Sequence, residues 1–180
     1  MKERYEVRLA GSGGQGLVLG GVILAEAAIF DGKNAAQTQS YGPESRGGAS
    51  KSEVIISDTE IDYPKATVID LMLLFTAAAA EKYLPDAPKD CLIVADEDLV
   101  SVPVPKGVIQ VPITRIAREK VGREFVANIV ALGLLNELAG IVTPKSLEKA
   151  VLGRVPKGTE ELNKKALKLG IGAAKAHKSS

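Results

Sequence analysis

The sequence predicts an α/β fold, a single three-layer α/β/α domain over residues 1–180 with a largely parallel central sheet and a helical C-terminal third. Near the N-terminus, a strand-like run, a glycine-rich turn and a helix-like run follow one another, as in the first unit of many α/β folds. The continuous apolar run TVIDLMLLF, residues 67–75, is typical of a strand in a parallel sheet that is covered on both faces.

The first two thirds of the chain alternate strand and helix patterns. YEVRLAG, residues 5–11, alternates apolar and polar positions like a strand, and residues 17–30 have the length and composition of a helix that ends near Gly32. AAAAEKYL has strong helix propensity. The remaining strand candidates are NAAQTQS, SEVIIS, IDY, CLIVAD and GVIQVP.

The last third predicts four helices. TRIAREKVG begins with Thr114, which we expect to be its N-cap. EFVANIVALGLLNELAG is apolar on almost every face, so we expect it to lie buried between the sheet and another element. Pro144 after Thr143 marks a third helix start, and Thr159 before two glutamates marks a fourth.

Composition excludes several classes of protein. The net charge of +1 gives no reason to expect binding to nucleic acid or to an anionic membrane. No stretch approaches 18 apolar residues and no signal peptide is apparent, so we expect a cytoplasmic protein. Cys91 is the only cysteine and is expected to be a core thiol; His177 is the only histidine and lies four residues from the end. Neither residue supports a catalytic triad or a metal site, so we predict no catalytic and no metal-binding residues in this chain.

The glycine-rich loop GSGGQG, residues 11–16, has three interpretations. Gly11, Gly13 and Gly16 fit the dinucleotide fingerprint, but the ribose-binding acid should lie about 20 residues later, where only Asp31 stands, beyond the predicted helix. A phosphate-binding P-loop is excluded because Leu17 follows Gly16. A tight turn without ligand is the third interpretation, although the amide of Gln15 between glycines favours a contact site.

A second loop, SYGPESRGG, also carries side chains that are common at contacts. Arg46 has the geometry to clamp a carboxylate or a phosphate, or to pair with Glu44. Tyr41 and Arg46 in a loop fixed by glycine and proline are equally typical of a protein interface.

Five segments in this order resemble the gamma subunit of 2-oxoacid:ferredoxin oxidoreductases, and the match covers nearly the whole chain. These segments are GSGGQG, YGPESRGG, IDYP, ANIVALGLL and ELNKKALKLG. Pyruvate-type gamma subunits tend to have arginine in the first loop and ERRG in the second. The chain therefore looks more like the 2-oxoglutarate type.

The resemblance implies a subunit that is inactive alone, within a complex that oxidatively decarboxylates a 2-oxoacid to acyl-coenzyme A and reduces ferredoxin. Thiamine diphosphate, Mg, coenzyme A and iron–sulfur clusters would belong to the whole complex. The implied partners are alpha and beta subunits and a delta subunit in four-subunit forms, with ferredoxin reached through the complex. A homodimer of the isolated chain is a further hypothesis.

By the same resemblance, two loops would contact a ligand or partner subunits. The predicted contact residues are Gly13, Gly14, Gln15 and Gly16 in the first loop and Tyr41, Gly42, Glu44, Arg46 and Gly47 in the second. Asn128 and Asn163 match positions in later helices and are interpreted as buried hydrogen-bonding or capping residues. The alternatives are an indolepyruvate oxidoreductase subunit, a free-standing dinucleotide-binding protein and an interaction module without ligand.

Overall fold

A computed structural model describes residues 3–40 and 48–179. These residues form one six-stranded sheet and its covering helices, numbered in chain order. The strands are β1 (Arg4–Gly11), β2 (Asn34–Ser40), β3 (Ser50–Ser57), β4 (Leu71–Leu74), β5 (Leu92–Asp96) and β6 (Ile109–Val111). The helices are α1 (Leu17–Phe30), α2 (Ala77–Tyr83), α3 (Ile113–Arg115), α4 (Ala127–Ala139), α5 (Pro144–Arg154) and α6 (Glu160–Lys178).

The sheet is largely parallel, as predicted, and its strand order is β2-β3-β1-β4-β5-β6. Strands β1, β4, β5 and β6 run parallel, with Leu9 beside Leu73 and Leu73 beside Val94. Strand β3 lies antiparallel between β1 and β2, which places β2 at one edge of the sheet. The predicted α/β fold is confirmed.

Two apolar clusters cover opposite faces of this sheet. The larger cluster joins one face to α1, α4, α5 and α6, and the smaller one joins the other face to α2. Helix α4 is buried at every residue from Ala127 to Asn136, because it packs against α6 and α1 inside the larger apolar cluster. The predicted burial of this apolar segment is therefore confirmed for α4, whereas Glu124 and Phe125 at the start of the segment are exposed.

The predicted strand IDY is absent, because side chains of β1 bind the backbone around it. The guanidinium of Arg4 donates to the carbonyls of Tyr63 and Lys65, each at 3.3 Å. The carboxylate of Glu6, only 2% exposed, accepts the amides of Thr67 at 2.5 Å and Val68 at 2.8 Å. Arg4 therefore binds one carbonyl of IDY, and Glu6 binds the amides of the segment that follows it, in place of strand pairing.

The prediction of Thr114 as an N-cap is also wrong. The helix begins at Ile113 with Pro112 at its N-cap, and it continues as a π-helix over Ile116–Val121. Thr114 lies inside it and donates its amide to Asp96 instead. The other two start signals are correct in place, and the hydroxyl of Thr143 accepts the amide of Ser146 at 3.3 Å.

Candidate functional site

The glycine-rich loop connects β1 to α1 at the carboxyl end of the parallel strands. Gln15 closes it, because its amide oxygen accepts the backbone amide of Ser12 at 2.8 Å. The Gln15 side chain folds over Gly11, where a β-carbon would overlap its oxygen. Gln15 therefore holds the loop in shape, with one hydrogen bond accepted by its side-chain oxygen.

Gly16 is the N-cap of α1 and has to be glycine for two reasons. Its φ of 72° lies in the left-handed region, and a β-carbon there would overlap the amide of Asn128. The Asn128 amide nitrogen donates to the Gly16 carbonyl at 3.2 Å, while its oxygen accepts the amide of Ile129 at 2.9 Å. Asn128 is only 6% exposed, so its predicted role as a buried hydrogen-bonding residue is confirmed.

A crevice of about 320 Å³ opens beside this loop. It is lined by Gly14, Gln15, Phe75, Leu99, Thr114, Glu124, Phe125 and Ala127. The chain leaves β1 toward β2 on one side and leaves β4 toward β5 on the other, so the crevice lies where the strand order reverses. Open α/β sheets bind their ligands at such a point.

A buried carboxylate that sequence reasoning missed shapes the far wall of the crevice. Asp96, at the end of β5, is 0% exposed and accepts the amides of Asp98 at 3.0 Å, Leu99 at 3.3 Å and Thr114 at 2.8 Å. It thereby fixes two of the lining residues. An acid at the end of the predicted strand CLIVAD was the signal that could have found it.

The second predicted loop cannot be assigned in the same way. Its candidate residues, Tyr41, Gly42, Glu44, Arg46 and Gly47, lie outside the described residues. The strands on either side of it are described, and Gly11 at the end of β1 pairs with Ser50 at the start of β3. The strand ends that flank the second loop therefore lie at the same end of the sheet as the first loop.

The geometry disfavours a dinucleotide site. In the dinucleotide fold, a strand parallel to β1 carries the ribose-binding acid beside the glycine loop. Here the antiparallel β3 occupies that place, and β2 carries no acid. Asp31 instead caps α5, where it accepts the amide of Thr143 at 2.6 Å and the hydroxyl of Ser146 at 2.5 Å.

The chain's other reactive groups lie away from the crevice. Cys91 is half-buried rather than fully buried, and burial, with a contribution from Asp70, raises the pKa of its thiol to about 11. His177 lies exposed in the last turn of α6. Among the described residues, no three histidine, cysteine or acidic side chains come together as metal ligands.

None of the helices in the described part of the chain has the length and apolar character needed to cross a membrane.

Comparison with known proteins identifies the family. The family model described as pyruvate ferredoxin/flavodoxin oxidoreductase matches residues 6–173. The chain belongs to this family. The sequence is 50% identical to the 2-oxoglutarate synthase subunit KorC of Methanocaldococcus jannaschii, over 97% of this chain and 96% of that protein. The pyruvate synthase subunit PorC of the same organism is 29% identical over 89% of this chain and 92% of that protein.

Solved structures of the family share this fold. The gamma subunit of a keto/oxoacid ferredoxin oxidoreductase from Geobacter sulfurreducens superposes with a TM-score of 0.88 at 50% identity, covering 97% of this chain and 98% of that one. A 2-oxoglutarate:ferredoxin oxidoreductase from Magnetococcus marinus, solved with 2-oxoglutarate, coenzyme A and succinyl-CoA bound, superposes with a TM-score of 0.84 at 24% identity. It covers 98% of this chain and 32% of that one, so the fold recurs as part of a longer polypeptide. The family that the sequence resembled is therefore confirmed. The relatives named here are oxidoreductases or subunits of oxidoreductases.

Proposed function

We propose that this chain is the gamma subunit of a 2-oxoglutarate:ferredoxin oxidoreductase. The observation that carries the proposal is the 50% identity to a KorC subunit across nearly the full length of both chains. Identity to PorC of the same organism is 29%, which favours 2-oxoglutarate over pyruvate as the substrate of the complex. The complex would convert 2-oxoglutarate and coenzyme A to succinyl-CoA and carbon dioxide, and pass two electrons to ferredoxin.

The carbon and electron chemistry would lie on the partner subunits. An iron–sulfur cluster needs several cysteine thiolates, and this sequence has one cysteine, whose raised pKa of about 11 keeps it protonated at neutral pH. Thiamine diphosphate needs a metal site, for which the described residues offer no ligand cluster. We therefore propose that the alpha, beta and delta subunits hold these cofactors.

The crevice is the part of this chain that we assign to the reaction. Gly13 and Gly14 are exposed and their α-carbons face open space, so the backbone is accessible beside Phe125, which is 66% exposed. An exposed aromatic beside an open glycine backbone fits a site that is covered when subunits assemble. We propose that Gly13, Gly14, Gln15 and Gly16 form a contact to a partner subunit and to coenzyme A.

The second loop extends this proposal. Ser40 and Ser50, which flank this loop, lie at the same end of the sheet as Gly11. We therefore propose that the same ligand or subunit is contacted by Tyr41, Gly42, Glu44, Arg46 and Gly47. Arg46 would supply the positive charge toward an anionic group of coenzyme A.

The test is purification of the tagged chain from its native cells under anaerobic conditions. The proposal expects alpha and beta subunits with thiamine diphosphate to accompany the chain, and 2-oxoglutarate to reduce ferredoxin only when coenzyme A is present. Activity with an arylpyruvate instead would support the indolepyruvate alternative. Recovery of the chain alone with a bound nucleotide would overturn the proposal.

A further inference from the structure

Strand β2 is an open edge of the sheet that lacks the usual protection. Within the described part of the chain it pairs only with β3, so its outer side presents unpaired backbone groups. Natural edge strands are blunted by charges, proline or bulges. The sequence of β2, NAAQTQS, has no charged residue and no proline over seven positions.

Helix α1 places an apolar stripe on the same flank. Val18, Val22, Ala25 and Ile29 recur at helical spacing and are half-buried or exposed, with Ile29 58% exposed. The neighbouring face of α1 meets α5, where Glu26, one turn after Val22, pairs with Arg154 at 2.7 Å. Gly21 faces β2 and β3, so the stripe lies between the side of α1 that meets α5 and the side that meets the sheet, at the β2 edge.

The position of α1 over the sheet fixes how far this stripe is from the edge. Gly21 lies directly above β2 and β3, because a β-carbon there would meet the side chains of Gln37 and Ser52. Val22 follows Gly21 on the outer side of the helix. Gln37 is the middle residue of β2, so the centre of the stripe stands above the centre of the strand.

We propose that this flank binds a second copy of the chain through a two-fold axis near Gln37. Antiparallel pairing of β2 with its copy would join Asn34 to Ser40 and Ala35 to Gln39 without any charged pair. Strands pair about 4.8 Å apart, and α1 lies over β2 and β3, so the two α1 axes would be about 10 Å apart. That is the spacing of packed helices, and it brings Val22 against the stripe of the other copy.

A second copy fits this flank better than an unrelated partner for a physical reason. An isologous interface requires a surface that is complementary to itself. Here β2 is uncharged and the stripe on α1 is apolar. Strand β2 would therefore pair with its copy, and the stripe would pack against its copy, without charge repulsion. The resulting dimer would have one continuous sheet of twelve strands, twice the six of one chain.

The test is the mass of the purified full chain and of two charge variants, Val22→Arg and Val22→Glu, by sedimentation equilibrium at micromolar concentration. We expect twice 18.9 kDa for the wild type, a single-chain mass for each variant, and the doubled mass again when the two variants are mixed. Restoration by mixing would also show that both variants are folded. The control Val68→Arg changes a more exposed valine, 58% exposed, away from this flank and should leave the mass doubled.

Three results would overturn the proposal. One is a wild type that has the mass of a single chain. If Val22→Arg then prevents the binding of alpha and beta subunits, the flank contacts those subunits and not a second copy. Another is a dimer that Val22→Arg leaves intact. The third is a pair of charge variants that remain single chains when they are mixed.

Discussion

Gly133 of α4 and Gly170 of α6 lie against each other's helix backbone. A β-carbon on Gly133 would overlap the carbonyl oxygen of Leu167, and one on Gly170 would overlap the carbonyl oxygen of Val130. Each glycine thus meets the carbonyl of the residue three positions before the other. This reciprocal contact brings the two helices so close that neither position has room for a side chain.

Gly133→Ala and Gly170→Ala should each destabilise the fold by at least about 2 kcal/mol, because the added methyl group has to push two helix backbones apart. Urea unfolding of the purified variants measures this loss. The matched control is Gly172→Ala in the same helix, where nothing lies within 4 Å; it should stabilise by up to about 1 kcal/mol. Equal stability of Gly170→Ala and Gly172→Ala would contradict the close contact.

Asp96→Asn should cost about 2 to 3 kcal/mol of unfolding free energy, because a buried amide cannot accept all three backbone amides that the carboxylate accepts. The wall of the crevice at Leu99 and Thr114 should loosen with it, seen as faster amide exchange there. The neighbouring Asp98→Asn removes an exposed ion pair to Arg115 and should change stability by less than about 0.5 kcal/mol. A loss shared equally by both variants would argue against the role given to Asp96.

The first strand, loop and helix could be predicted from the sequence because their signals are local. Alternation marks β1, glycines mark the turn, and α1 runs over Leu17–Phe30 as its apolar composition predicted. The segment IDY has the same kind of local signal, yet it forms no strand, and the distant Arg4 binds the carbonyl of its Tyr63. A pattern within one segment does not reveal such a long-range contact.

The candidate site was predictable only in part, for the same reason. Composition alone marks the loop formed by Gly13, Gly14, Gln15 and Gly16. The role of Asp96, in contrast, depends on the pairing of β5 with β6, which brings the amide of Thr114 to the Asp96 carboxylate. The place of β3 between β1 and β2 is likewise a property of the pairing. It decides against a dinucleotide site, and no spacing in the sequence reveals it.

Asp31 should make stability depend on pH at the acidic end. Burial alone would raise the pKa of Asp31, but hydrogen bonds from Ser146 and Thr143 hold it below the ordinary value of 3.8. A group with a lowered folded pKa contributes stability that is present above 3.8 and is lost as pH falls through the lower folded value. Urea unfolding between pH 7 and pH 2 should therefore show a smaller acid loss for Asp31→Asn than for the wild type. The exposed acid variant Asp86→Asn serves as the control and should follow the wild type; an identical pH curve for Asp31→Asn would refute this linkage.

The Cys91 thiol should react slowly in the native protein. Burial, with Asp70 adding to it, raises its pKa from 9.0 to about 11, so the reactive thiolate is about one hundredfold rarer at pH 8 than in the unfolded chain. Iodoacetamide labelling followed by mass spectrometry should show a native rate about two orders of magnitude below the rate in urea. Equal rates in the two states would mean that the thiol is neither buried nor perturbed.

Gly13→Leu should separate the use of the glycine-rich loop from the stability of the fold. A β-carbon added at Gly13 would have nothing within 4 Å, so a leucine side chain should extend into open space and change the unfolding free energy by less than about 1 kcal/mol. In the assembled oxidoreductase the same side chain would occupy the space that we assign to coenzyme A or to a partner subunit. We therefore expect at least a tenfold higher KM for coenzyme A, or loss of the partner subunits during gel filtration. The control is Gly153→Leu in α5, which also faces open space but belongs to a helix that does not line the crevice, so it should leave both assembly and KM unchanged. If Gly13→Leu assembles and turns over like the wild type, the glycine loop is only a turn, and the contact must be sought on the second loop.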